Sequence, residues 1–124
     1  MTRRTFAAAL LGASALLTGC GATYDVAVRN DGQRTIAAEL VHDPLLATPL
    51  VVDAATIRPG DTAQLFAEGL DPFDPVTVRV RVSGDSQGLD ESIDAPSGTS
   101  TVVVESGGVE SWTGLRLRTE PGSR

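Results

Sequence analysis

Hydrophobic and polar positions alternate most clearly over 76–82, where Val76, Val78, Val80 and Val82 fall on one face and Thr77, Arg79 and Arg81 on the other. A period of two is the pleat of a β-strand, and one face of such a strand is built for burial. Each buried valine contributes about 1.5 kcal/mol or more, so four on one face hold the register against a slip that would turn them all outward. The same alternation sets Tyr24, Val26 and Val28 against Asp25, Ala27 and Arg29 in a strand over 24–30. Asn30-Asp31-Gly32-Gln33 follows as a turn, and a second strand over 35–41 is expected to pair with the first as a hairpin.

Further along, Pro44 and Pro49 interrupt any ladder, so 42–49 reads as a crossing loop or an edge. Short extended pieces are expected over 50–53 and 56–58, with Ala54 and Ala55 allowing one bent strand with a bulge. Pro59-Gly60-Asp61 turns into a strand over 62–67, and Gly69-Leu70-Asp71-Pro72-Phe73-Asp74-Pro75 is a loop by composition. After the valine strand, 83–98 is polar, with a short extended piece near 92–94. Strands over 99–105 and 112–119 are joined across Ser106-Gly107-Gly108. No sustained helical period occurs after Cys20. About seven short strands predict an all-β chain, an antiparallel two-sheet β-sandwich over 23–119, with a small β-barrel as the alternative.

The pattern resembles an immunoglobulin-like or fibronectin-type domain. The resemblance is carried by Val26-Ala27-Val28-Arg29-Asn30-Asp31-Gly32, by Ile57-Arg58-Pro59-Gly60-Asp61-Thr62 and by the strand over 76–82. The antibody-type hallmark is missing, because no cysteine pair flanks a core tryptophan and Trp112 lies near the end.

Ahead of the strands, Arg3 and Arg4 precede an apolar stretch over 6–17 that ends in Leu17-Thr18-Gly19-Cys20. A basic start, an apolar run too short to span a bilayer, and a small residue before the cut are the features of an export signal, here helical over 1–19. The last four residues resemble the lipobox of bacterial lipoproteins, which implies cleavage between Gly19 and Cys20 and acylation, such as by palmitate, of the Cys20 sulfur. Two or three acyl chains make stable membrane attachment, whereas one is marginal. Thr2-Arg3-Arg4-Thr5-Phe6 also resembles a twin-arginine motif, so export is expected by the Sec or the twin-arginine route. Gly21 after the cysteine, where an aspartate resembles an inner-membrane retention signal, favours the periplasmic face of the outer membrane in a diderm cell. Residues 20–22 are then a lipidated tether and 120–124 a disordered tail.

Composition narrows the chemistry. The chain of 124 residues holds ten positive residues, all arginine, and sixteen acids. Loss of Arg3 and Arg4 leaves a net charge of −8, which repels nucleic acid. Cys20 is the single cysteine, so neither disulfides nor thiolate zinc sites are available to the exported domain. Nucleophilic catalysis needs a base beside its nucleophile; His42 is the only histidine, and no Gly-x-Ser-x-Gly elbow exists to meet it. No catalytic residues and no cofactor are expected.

Two surfaces remain as candidates for binding. The acidic stretch with Asp85, Asp90, Glu91 and Asp94 offers oxygen ligands for calcium or a small ligand, although it lacks the regular alternation of an EF-hand. Arg79 and Arg81, and likewise Arg116 and Arg118, alternate outward; on neighbouring strands they would present four guanidinium groups to the carboxylates of a partner. The expected protein is a non-enzymatic envelope lipoprotein that engages another protein or an envelope polymer.

Overall fold

The computed structural model describes residues 21–85, 89–107 and 114–121. Eight strands form two four-stranded sheets: β1 (Ala22–Asn30), β2 (Ile36–His42), β3 (Leu50–Ile57), β4 (Thr62–Leu70), β5 (Val76–Val82), β6 (Glu91–Asp94), β7 (Gly98–Ser106) and β8 (Leu115–Pro121). One sheet has the order β4-β1-β7-β8 and the other β3-β2-β5-β6. The all-β two-sheet sandwich expected from the alternation is present. The pattern missed one strand by treating β3 as two fragments and leaving β6 as an extended piece.

The core lies between the sheets, where the inward residues of the central strands meet. Val26 and Val28 of β1, Ile36, Ala38 and Leu40 of β2, Val78 and Val80 of β5, and Val102 and Val104 of β7 are all fully buried. Small β-branched side chains suit this role, because they fill a pleated surface without leaving their preferred rotamers. Valines 76, 78, 80 and 82 occupy the inner face of β5, as the alternation required.

The connectivity differs from the expectation in two respects. β1 and β2 do not form a hairpin: β1 pairs with β4 and β7, whereas β2 pairs with β3 and β5 in the opposite sheet. The immunoglobulin resemblance therefore extends to the two-sheet architecture and not to the strand order, since the first two strands of that fold share a sheet. The β1–β7 pair is also parallel within an otherwise antiparallel arrangement. Residues 95–97 cross from β6 to β7 at the end of the sandwich where β1 begins, so both central strands start there and run the same way.

Asn30 is the physical reason for the missing hairpin. It is fully buried at the end of β1 and makes bonds that a two-residue hairpin would exclude. Its Nδ2 donates to the carbonyl oxygens of Arg34 (2.8 Å) and Ile57 (2.9 Å), while its Oδ1 accepts from the Gly32 amide (3.0 Å). The backbone adds three more bonds: the Asn30 amide to Asp61 O, the Gly60 amide to Asn30 O, and the Asp31 amide to Val104 O, at 2.7 to 2.9 Å. One residue thus fixes the chain's crossing between sheets, the end of β3 and the turn into β4. Gly60, at φ +85°, turns in a conformation that a side chain would strain.

The sheet edges are shielded locally. β3 carries an irregularity at Val52, opposite Leu40 and Val41, whereas Ala54 and Ala55, expected to separate two extended pieces, pair regularly with Glu39 and Ala38. Asp53 then accepts from the Phe66 amide (2.9 Å) through Oδ2, joining edge strand β3 to edge strand β4 across the sandwich. An edge amide occupied by a carboxylate is no template for another chain. β1 begins at Ala22 opposite Leu70 and β8 runs to Pro121 opposite Ser100, so the sheets extend past both the tether and tail boundaries expected from sequence.

Replacing Asn30 with alanine leaves the Ile57 carbonyl and the Gly32 amide without their partner, and should cost about 3 kcal/mol in urea unfolding. Ser100, also buried on β7, has a hydroxyl with no hydrogen-bond partner among the described residues. Ser100→Ala should therefore be neutral or stabilising, within about 1 kcal/mol. Equal losses for the two variants would contradict the different roles assigned to these buried polar groups.

Candidate functional site

The proposed lipidation site, Cys20, and the cleavage pair Gly19 and Cys20 lie outside the described residues, but the chain's entry into the fold is defined. Gly21 packs so closely on Gly69 that an added Cβ would stand 2.5 Å from the Gly69 Cα. Gly69, at φ +75°, belongs to the irregular end of β4 that pairs with Ala22. Strand β1 thus starts two residues after Cys20, held against the body of the domain.

Three connections share the end of the sandwich where β1 starts: residues 43–49, 71–75 and 95–97. The first two carry large apolar side chains in solvent, with Leu45 at 80%, Leu46 at 100% and Phe73 at 88% exposure, next to the exposed Leu50. Each loop is closed by a turn bond, from the Ala47 amide to Pro44 O (3.5 Å) and from the Asp74 amide to Asp71 O (3.1 Å). The turns place Leu45 and Leu46 at one tip, and Pro72 and Phe73 at the other. The Phe73 amide also donates to Asp71 Oδ1 (2.9 Å). In the sequence these segments are loops, and the signal for their tips is a pair of leucines and a phenylalanine set between prolines.

His42 sits beside these loops. Its Nε2 is 3.0 Å from Asp74 Oδ2, with both side chains largely shielded, at 16% and 14% exposure. The Asp43 amide donates to Pro75 O (3.0 Å) and completes the same junction. The histidine ties the end of β2 to the loop entering β5. The ring thus packs between two loops, with one nitrogen held by a carboxylate.

The four arginines are not brought together. Arg79 and Arg81 project from β5 on the outer face of one sheet, whereas Arg116 and Arg118 project from β8 in the other. The shared four-guanidinium face that neighbouring strands would have given is thus excluded, because β5 and β8 lie in opposite sheets. Arg79 is engaged by Glu39 across the β2–β5 ladder, at 2.6 Å. Arg118 bonds Glu120 and lies 3.4 Å from Glu105. Arg81 makes no ion pair among the described residues. It borders a shallow depression of about 420 Å³ lined by Ala37, Ala38, Glu39, Ala54, Ala55 and Thr56.

A second group of charges covers the β1–β7–β8 face. Val103 points outward yet is fully buried, with Arg29 and Arg118 as its cross-strand neighbours. Long arginine stems cover such a side chain while their charged heads stay in water. Hydrogen bonding and charge from Asp31 raise the Arg29 pKa above its ordinary value, and the bond to Glu120 does the same for Arg118. A raised arginine pKa gives stability that is present below the ordinary value and lost only as pH rises through the raised one, so neither residue titrates near neutrality.

The acidic candidates are dispersed. Glu91 and Asp94 stand at opposite ends of β6, Asp90 precedes it exposed, and Asp85 follows β5. Among the described residues, no group of three or more histidine, cysteine, aspartate or glutamate side chains is placed to hold a metal ion.

No protein-family model matches the chain, and no curated protein matches it. Among solved structures, the T6SS lipoprotein TssJ1 from Pseudomonas aeruginosa is similar, with a TM-score of 0.48 and 10% sequence identity over 82% of this chain and 98% of that chain.

The two β5 arginines should respond differently to charge reversal. Arg81→Glu should change urea stability by less than about 0.5 kcal/mol. Arg79→Glu puts two carboxylates opposite one another on adjacent strands and should cost about 1 kcal/mol. A larger loss for Arg81 would contradict its outward, unpaired position.

Proposed function

We propose that this chain is a non-enzymatic envelope lipoprotein, a β-sandwich held to a membrane by acyl chains on Cys20 and presenting its sheet faces and far end to an envelope partner. The observation that carries this reading is the position of Leu17-Thr18-Gly19-Cys20 directly before a strand that needs no further linker to enter the fold. Two or three acyl chains at Cys20 make a lasting anchor. The lone histidine is occupied in a loop junction, and no nucleophile elbow accompanies it.

In this reading the partner is an envelope protein or polymer, and the domain is exported through the Sec or twin-arginine route to the periplasmic face of the outer membrane in a diderm cell. Arg81 and the small-residue depression beside it supply the contact that the outer face of β5 offers to a carboxylate-bearing partner. Arg116 is the corresponding cation on the opposite sheet.

The test is metabolic labelling with an alkyne fatty acid in cells that express the full chain or its Cys20→Ala form. The full chain should carry the label and sediment with membranes. Cys20→Ala should carry none and leave the membrane fraction. Equal labelling of both forms, or none of either, would exclude Cys20 as the anchor. Crosslinking in the same cells should yield a partner whose recovery falls with Arg81→Glu.

A further inference from the structure

We infer that the anchored end of the sandwich is itself a membrane-contact surface, with Leu45, Leu46 and Phe73 seated in the headgroup region of a zwitterionic bilayer. The inference rests on the Cys20 anchor proposed above and adds to it the orientation of the domain and the residues that set it.

The first argument is length. Gly21 alone separates Cys20 from β1, and two residues reach at most about 7 Å. The contact between Gly21 and Gly69 leaves no room for a side chain, so the tether is pressed against the domain. A domain anchored this way holds the end containing residues 43–49 and 71–75 against the surface its acyl chains enter. Amphipathic elements in that position settle about 5–10 Å into the boundary between headgroups and acyl chains.

The second argument is the chemistry of the tips. A large apolar side chain left wholly in water, as Leu46 is at 100% exposure, gains by any apolar contact within its reach. Leu45, Leu46 and Phe73 occur on two separate turns at the same end. Those turns are stiffened by Pro44, Pro49, Pro72 and Pro75, which fix φ, so little chain entropy opposes insertion. The turn bonds and the bond from the Phe73 amide to Asp71 satisfy tip backbone groups internally, which lowers the cost of leaving water.

Charge selects the type of surface. The segments 43–49, 71–75 and 95–97 contain no arginine, and their charged residues are Asp43, Asp71 and Asp74. Asp74 is occupied by His42 and Asp71 by the Phe73 amide. Asp43 and Asp71 remain exposed at this end. Carboxylates there disfavour a strongly anionic surface and are compatible with zwitterionic headgroups.

The test uses the full lipidated protein in vesicles of phosphatidylethanolamine and phosphatidylcholine. An environment-sensitive dye is attached to a cysteine introduced by Leu46→Cys, by Phe73→Cys or, at the opposite end, by Arg58→Cys. Nitroxide groups on the lipids then report depth. Quenching at positions 46 and 73 should exceed that at position 58 by about threefold or more, with the emission shifted to the blue. Adding phosphatidylglycerol should weaken quenching at both tips. Flotation with the vesicles and the acylated mass of the protein report on the anchor separately: a protein that neither floats nor carries acyl chains refutes the Cys20 reading. A protein that floats while positions 46 and 73 stay as water-exposed as position 58 overturns only the membrane-contact surface. Dye that is exposed on vesicles but shielded in native envelopes would also overturn it, and would assign the tips to a protein partner.

Discussion

The buried carboxamide of Asn30 is the constraint on which the two-sheet arrangement depends. A chain leaving the central strand of one sheet has to enter the other with its backbone groups satisfied in a region closed to water. Asn30 meets this demand from a single position, bonding forward to Gly32 and Arg34 and across to Ile57. Its own backbone amide and carbonyl bond residues 61 and 60 in the turn before β4. Once the corner is set, β2 can pair only within the second sheet, and the remaining strands take their places around β1 and β2. A hydrophobic residue here would add to the core and leave the Gly32 amide and the Arg34 and Ile57 carbonyls without their common partner.

Around that junction the sandwich is built by repetition of a simple rule. Small β-branched residues occupy the inner faces, while arginine and carboxylate pairs lie across the outer ones. The outer face of β1, β7 and β8 shows how the two layers of the rule meet. Val103 escapes solvent without a second sheet above it, because Arg29 and Arg118 flank it and are themselves bonded to Asp31 and Glu120. Ion pairs this exposed contribute little stability directly. Their larger effect is to hold the arginine stems over an apolar side chain.

The two ends of the sandwich differ in character for topological reasons. Because β1, β5 and β7 all start at one end, the loops before β5 and β7 fall beside the chain's entry, and the loop before β3 joins them. Among the described residues, leucine, phenylalanine and proline concentrate in these loops and arginine is absent from them; the described arginines lie on the strands' outer faces and in turns at the far end, as with Arg34 and Arg58. The chain's entry and the apolar tips therefore share one end of the strands, away from the charged turns at the other.

What the sequence determined by itself was the local pattern. The two-residue period over 24–30 and 76–82 placed β1 and β5 almost to the residue and identified their buried faces, because pleating is a property of each strand alone. The tertiary structure decided which strands are neighbours. Asp31-Gly32 read as a hairpin turn, since nothing in that dipeptide reveals that the preceding asparagine is bonded to Ile57, 27 residues away. Whether the four arginines share a surface was undecidable for the same reason: outward alternation is local, and the sheet to which a strand belongs is not. Leu45, Leu46 and Phe73 looked like ordinary loop residues until the fold placed both turns beside Gly21, because proximity between distant loops is written only in the pairing of the strands that carry them.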